Sequence, residues 1–162
     1  ILNQPHVHLT NANLTNANLT GADLTNANLT GANLTSANLS YTNFFGDRLD
    51  YANLTNANLT NAGLYGADLT GANLSNANLS SADLANADLT GANLTGVQSG
   101  GITGSPDTLP VGWELINGYL VEVALPLNGI YKGSTIKDRS GDAASLQYHV
   151  LNPCPYGFIC PL

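Results

Sequence analysis

One five-residue unit recurs from Val7 to about Val97, as in Ala12-Asn13-Leu14-Thr15-Asn16. Its central residue falls on Leu9 and on every fifth position to Leu94, and all eighteen centres are Leu except Phe44. Two residues before each centre stands Ala, except at Val7, Thr42 and Asp47. An odd period of this kind excludes the ordinary elements. In a helix, five residues rotate the side chain by about 140° net, which scatters the leucines around the cylinder. In a straight strand, Ala and Leu two apart share a face, but the next pair falls on the opposite face. Every pair can be buried only if the chain turns a corner once per unit.

The remaining positions agree with such a coil. Asn or Asp precedes most centres, and Thr or Ser follows them. The fifth position is often Gly or Asn, as at Gly21, Gly31, Gly66, Gly71 and Gly91, the residues a tight corner favours. Ala suits the crowded corner and Leu the axis. Successive coils pair in parallel about 4.8 Å apart. Each enclosed Leu contributes roughly 2 kcal/mol, and no unit folds alone, because the stack makes the core.

Tandem Ala-(Asn/Asp)-Leu-x-x units resemble the pentapeptide-repeat family, over roughly residues 5–98. The resemblance implies an all-β fold, a right-handed quadrilateral parallel β-helix with four units per coil and a twenty-residue period. Residues 1–98 are expected to form this solenoid, and 99–162 a C-terminal capping region. The resemblance also implies a scaffold that engages other proteins. Some family members mimic duplex DNA and act on DNA gyrase, an alternative for this chain.

A twenty-residue period sorts the surface. Centres 24, 44, 64 and 84 share a first face, and centres 9, 29, 49, 69 and 89 share the next. Asp23 and Asp83 flank centres of the first, while Asp68 and Asp88 flank centres of the second, which also carries Asp47 and Asp50. All six solenoid carboxylates thus fall on two adjacent faces. This is either an acidic surface for a basic partner or casual exchange of Asn for Asp. Phe45 and Tyr65, twenty apart, are expected to point outward and stack, with Tyr41 and Tyr51 at nearby corners. Such a cluster marks a candidate interaction surface, unless the tail covers it. Asp47 stands in a slot meant for Ala, so a bulge that turns it outward, or a pairing with Arg48, is expected.

Beyond Val97 the pattern fades. Residues 99–112 read as a loop, and Trp113 to Val121 as a β-hairpin, because Asn117-Gly118 favours a type I′ turn. Trp113 is a candidate plug for the last coil, whose bare edge needs cover. Pro5, His6 and His8 are candidates for a cap at the other end. Cys154 and Cys160 form a candidate disulfide, and free thiols are the alternative. A bond there calls for an oxidising compartment, and a start at Ile1 in place of Met implies removal of a tag, a targeting segment or an upstream domain, so an exported or oxidising compartment is the expectation.

A net charge of −7 argues against binding nucleic acid by phosphate neutralisation. No apolar run is long enough for a transmembrane helix. His6 and His8 lack a third metal ligand, Gly100 to Gly104 lacks the lysine of a phosphate loop, and nothing near His149 resembles a nucleophile elbow. Neither cofactor nor catalytic residue is therefore expected, and enzyme activity is the weakest of three readings. Six carboxylates over nearly five coils are also sparse beside a duplex charge every ~1.7 Å. The expectation is a rigid interaction scaffold for an unidentified protein partner, with flat coil ends that leave homodimerisation by end-to-end stacking open.

Overall fold

A computed structural model of the protein describes residues 7–123. Every isolated β-bridge in it is parallel and joins residues twenty apart, from His8–Asn28 to Asp88–Thr108. Four five-residue units therefore complete each coil, and the coil has four faces. The expected local bulge at Asp47 is absent, because Arg48 bridges both Asn28 and Asp68 in register.

The five backbone donors of one unit explain why these residues form this coil. In the unit centred on Leu54, Asn53 donates to Ala32 of the preceding coil at 2.9 Å. Leu54 and Asn56 donate to Asn73 and Ser75 of the following coil at 2.7 and 3.0 Å. Ala52 closes the corner by donating to the Leu49 carbonyl at 3.0 Å. The fifth donor, Thr55 N–H, turns outward and is met by Asn53 Oδ1 at 3.1 Å. That last bond is the reason for Asn or Asp before each centre: either side chain supplies the oxygen.

Every fifth residue from Asn11 to Gly101 has a positive φ, between 55° and 69°. The corner is thus a turn with its third residue left-handed, which Gly and Asn tolerate best. Inside it, the leucines from Leu29 to Leu89, with Phe44 in their column, are fully enclosed, and the alanines line the corners around them. Leu9, Leu14 and Leu19, in the first described coil, are only half-buried.

The backbone coil outlasts the side-chain pattern. Gln98, Thr103 and Thr108 continue the bridging step ten residues past the sequence boundary at 98. Ser99 and Gly104 stand there in place of Leu, and Ile102 fills the interior. The chain then forms strands β1 (Trp113–Ile116) and β2 (Tyr119–Glu122), joined by Asn117 and Gly118 with φ of 50° and 81°. Both turn residues are left-handed, as a type I′ hairpin requires. Residues Leu115–Leu120 cluster with the coil. Gly118 accepts the Ile102 N–H at 3.1 Å, and Leu120 N–H donates to Ser99 Oγ at 3.0 Å. Leu120 is buried, whereas Trp113, the expected plug, is half-buried and falls in a second unit that takes in Gly112–Glu114 and, among the described residues, 121–123. Pro5, His6, Cys154 and Cys160 lie outside the described residues; His8 sits in the bridging ladder.

Candidate interaction surface

The departures from the repeat concentrate in one stretch, residues 41–51. Tyr41 and Tyr51 occupy corners, both with φ of 59°, a backbone region where a bulky side chain is strained. Both rings are largely exposed, at 66% and 68%. The Tyr51 ring lies over the corner of the next coil, where a Cβ on Gly71 would come within 2.8 Å of it. On the first face, Phe45 and Tyr65 follow their centres, point outward, and stack with ring centroids 5.3 Å apart and planes 4° from parallel. They remain 47% and 42% exposed. The described part of the tail therefore leaves the pair open to solvent.

The candidate carboxylates take up the Asn role in the ladder. Asp23 accepts from Thr25 N–H and Oγ1 and from Asn43 Nδ2, and these bonds, the Thr25 hydroxyl first, hold its pKa below the usual carboxylate range. Asp68 accepts the Thr70 N–H at 3.0 Å and Asp83 the Ala85 N–H at 3.0 Å. Asp88 accepts from the Thr108 hydroxyl and the Thr90 N–H, again with a lowered pKa. Asp68 and Asp88 are bridged neighbours on the second face. Asp23 and Asp83 lie three coils apart in a first-face column that runs from Asp23 through Asn43, Gly63 and Asp83 to Thr103.

Two features escaped the sequence reading. Asp47 points inward, against the expectation, and is 1% exposed. Its Oδ1 accepts the Ala27 N–H at 2.8 Å, but Oδ2 has no partner. Arg48 does not pair with it, and its Nε meets Asp50 Oδ1 at 3.4 Å instead. Unbroken register keeps the side chain inside: turning it out would cost the bridges of Arg48 on both sides. Burial pushes its pKa up to about 7, helped by the charge of Asp23 and opposed by the Ala27 and Asn26 backbone. Thr42, in the equivalent slot five residues earlier, avoids this cost because its hydroxyl donates to Leu19 O at 2.7 Å. The second feature is Gly63, a ladder position with no side chain. Tyr65 N–H consequently has no Oδ1 to meet it, and a shallow notch opens between Asn43 and Asp83. The signal was present in the sequence as Gly63 in the column of Asn and Asp.

Among the described residues no three His, Cys, Asp or Glu side chains group as a metal site, and no helix is long and apolar enough to cross a membrane.

A coil of identical five-residue turns with a continuous Leu axis and laddered Asn defines a tandem-repeat β-helix whose faces present side chains at fixed spacing. The family model for pentapeptide repeats matches the chain in 8 copies over residues 6–44, 37–76 and 72–98. The chain belongs to the pentapeptide-repeat family, a family of structural and interaction scaffolds, and its fold is the right-handed quadrilateral β-helix of that family.

Several solved structures are similar to it, three of them as follows. A pentapeptide-repeat protein from the Arabidopsis thaliana thylakoid lumen is 35% identical, with 49% of this chain and 59% of that chain covered and a TM-score of 0.46. HetL, involved in heterocyst differentiation regulation in the cyanobacterium Nostoc sp. strain PCC 7120, is 36% identical, with 57% and 53% covered and a TM-score of 0.39. Rfr23 from the cyanobacterium Cyanothece 51142 is 43% identical, with 63% of each chain covered and a TM-score of 0.33. The chain thus spans between 53% and 63% of the length of these relatives. No match is found among curated proteins.

Proposed function

We infer that the protein is a rigid scaffold that binds a protein partner through the surface formed by Phe45, Tyr65, Tyr41 and Tyr51, and that it is not an enzyme. The observation that carries this reading is the stacked, exposed Phe45–Tyr65 pair, joined by exposed Tyr41 and Tyr51 at strained corners of the same stretch of chain. Exposed aromatics on a rigid frame supply contact area at little entropic cost, and strain concentrates where function maintains it. The family's scaffolding character and the convex faces of the coil support binding over catalysis.

The gyrase-directed DNA-mimic reading draws less support, because Asp68, Asp83 and Asp88 are half-buried and engaged with their own backbone. We also propose an exported or oxidising compartment, on the strength of Cys154 and Cys160. Thiol alkylation of protein purified without reductant checks this, and two labelled thiols would refute it.

The binding reading is tested by native capture from source-cell lysate, comparing the protein with its Phe45→Ala/Tyr65→Ala variant. A protein retained by the first and lost from the second is the expected result. Identical captured sets would show that this surface is not the contact.

A further inference from the structure

The first face carries a second regularity around the aromatic pair. In the column after the centres, Phe45 and Tyr65 are bracketed by Thr25 on one side and Ala85 on the other. Both bracketing side chains are small. No further ring stands in the column, so the outer face of Phe45 looks toward Thr25 and that of Tyr65 toward Ala85, and both residues stay exposed. Two residues before each bracketing position stands a carboxylate, Asp23 before Thr25 and Asp83 before Ala85. One oxygen of each accepts the N–H of the bracketing residue itself, Thr25 at 3.2 Å and Ala85 at 3.0 Å, which fixes the group. Each ring thus looks toward a residue that a carboxylate sits against, Asp23 Oδ1 at 2.5 Å from Thr25 Oγ1 and Asp83 Oδ1 at 3.0 Å from Ala85 N. Between them lies the Gly63 notch, where Tyr65 N–H has no side-chain acceptor.

A flat ring face with a carboxylate to one side matches a guanidinium, which is planar, stacks on aromatics and donates in its own plane to carboxylates. An aliphatic partner would leave both carboxylates unmatched, and an anionic one would be repelled by them. The two sites are three coils apart, roughly 14 Å at a coil spacing of about 4.8 Å. An extended chain rises about 3.3 Å per residue, so four residues cover this distance and return the side chain to the same face.

We propose that the first face binds an extended segment of a partner protein laid along the coil axis, with arginines four residues apart on the free faces of Phe45 and Tyr65, paired with Asp23 and Asp83. A main-chain carbonyl between the arginines accepts the Tyr65 N–H in the Gly63 notch. This rests on the reading of Phe45 and Tyr65 as a protein-binding surface and adds the chemistry of what binds.

The test is calorimetric titration of the full chain with three synthetic peptides of equal length and charge in a Ser/Thr background. One has arginines four apart, one has them three apart, and one has lysines four apart. Equal charge matters, because a chain of net charge −7 attracts any basic peptide. Arginines four apart bind most tightly. Asp23→Asn and Asp83→Asn each weaken that peptide by about two- to fivefold, the size of one exposed ion pair. Both variants keep the Oδ1 acceptor, so the ladder is undisturbed. Gly63→Asn, which restores the repeat and adds a Cβ at an ordinary 3.7 Å from Asn43 Oδ1, also weakens it by filling the notch. Absence of saturable binding, equal binding of the two arginine spacings, or an affinity unchanged by Phe45→Ala/Tyr65→Ala would each overturn the proposal. A lysate partner lost on Phe45→Ala/Tyr65→Ala but retained by Asp23→Asn/Asp83→Asn would leave the binding surface standing and remove the arginine assignment.

Discussion

Asp47 shows how one residue sets a property of the whole chain. Its carboxyl is enclosed with one oxygen unpartnered, so the folded state prefers the neutral acid. A pKa raised from 3.8 to about 7 means the folded chain holds this proton more tightly than the unfolded chain. The stabilisation is complete below about pH 4 and is lost as pH rises toward about 7, on the order of 4 kcal/mol in all. Asp23 and Asp88, whose pKa values are lowered, act in the opposite sense and only in acid: their contribution is present above their unfolded pKa and lost as pH falls through the folded one. Asp47→Ala should therefore raise the melting temperature at pH 7 and flatten its decline between pH 4 and 7. An unchanged slope would show that another group governs it. Tyr41 presents a milder case. Asn at that left-handed corner should stabilise by about 1 kcal/mol in chemical denaturation, which would measure what the exposed ring costs the fold.

At the scale of the element, the five-residue corner has a tolerance that depends on the coil above it. Gly66 and Gly71 have nearly the same φ, 65° and 64°, but only Gly71 lies under a ring. Replacement of either by Ala incurs the left-handed penalty, about 1 kcal/mol. Gly71→Ala should cost more, because its Cβ meets Tyr51 at 2.8 Å. The excess should disappear in a Tyr51→Gly background, where a double-mutant cycle reads it directly. The axis is less forgiving still. Leu54 is fully enclosed, so Leu54→Ala should cost on the order of 3 kcal/mol, and Leu54→Asp should abolish cooperative thermal unfolding. A near-native melting temperature for Leu54→Asp would contradict an interior of leucines.

For the molecule as a whole, the open question of a stacked coil is how its pairing stops. The Leu pattern ends at Leu94, while bridges continue to Thr108, held by backbone geometry with Ile102 as interior filler. Hydrogen bonds from Ile102 and Leu120 then tie the β1–β2 turn to this last coil. Truncation after Pro110 removes these ties and the buried Leu120, and should leave a chain that aggregates on size-exclusion chromatography. A monodisperse truncated protein would show that the hairpin is not a cap.

The period, the inward Leu and Ala and the corner residues were legible in the sequence, because each follows from which side chains a five-residue step can bury; the type I′ hairpin was legible in Asn117-Gly118, and the twenty-residue register came from the family resemblance. The Phe45–Tyr65 stack followed from that register alone. Tertiary structure decided what period cannot express. It held Asp47 inside, because Arg48 is bridged to Asn28 and Asp68 and a local bulge would break pairing on both sides. It carried the coil past residue 98, because backbone pairing needs no Leu once the preceding coil is in place. It also converted Asp23 and Asp83 from charges on a face into fixed acceptors in the column beside the aromatic pair, since only stacking brings residues twenty to sixty apart into one surface.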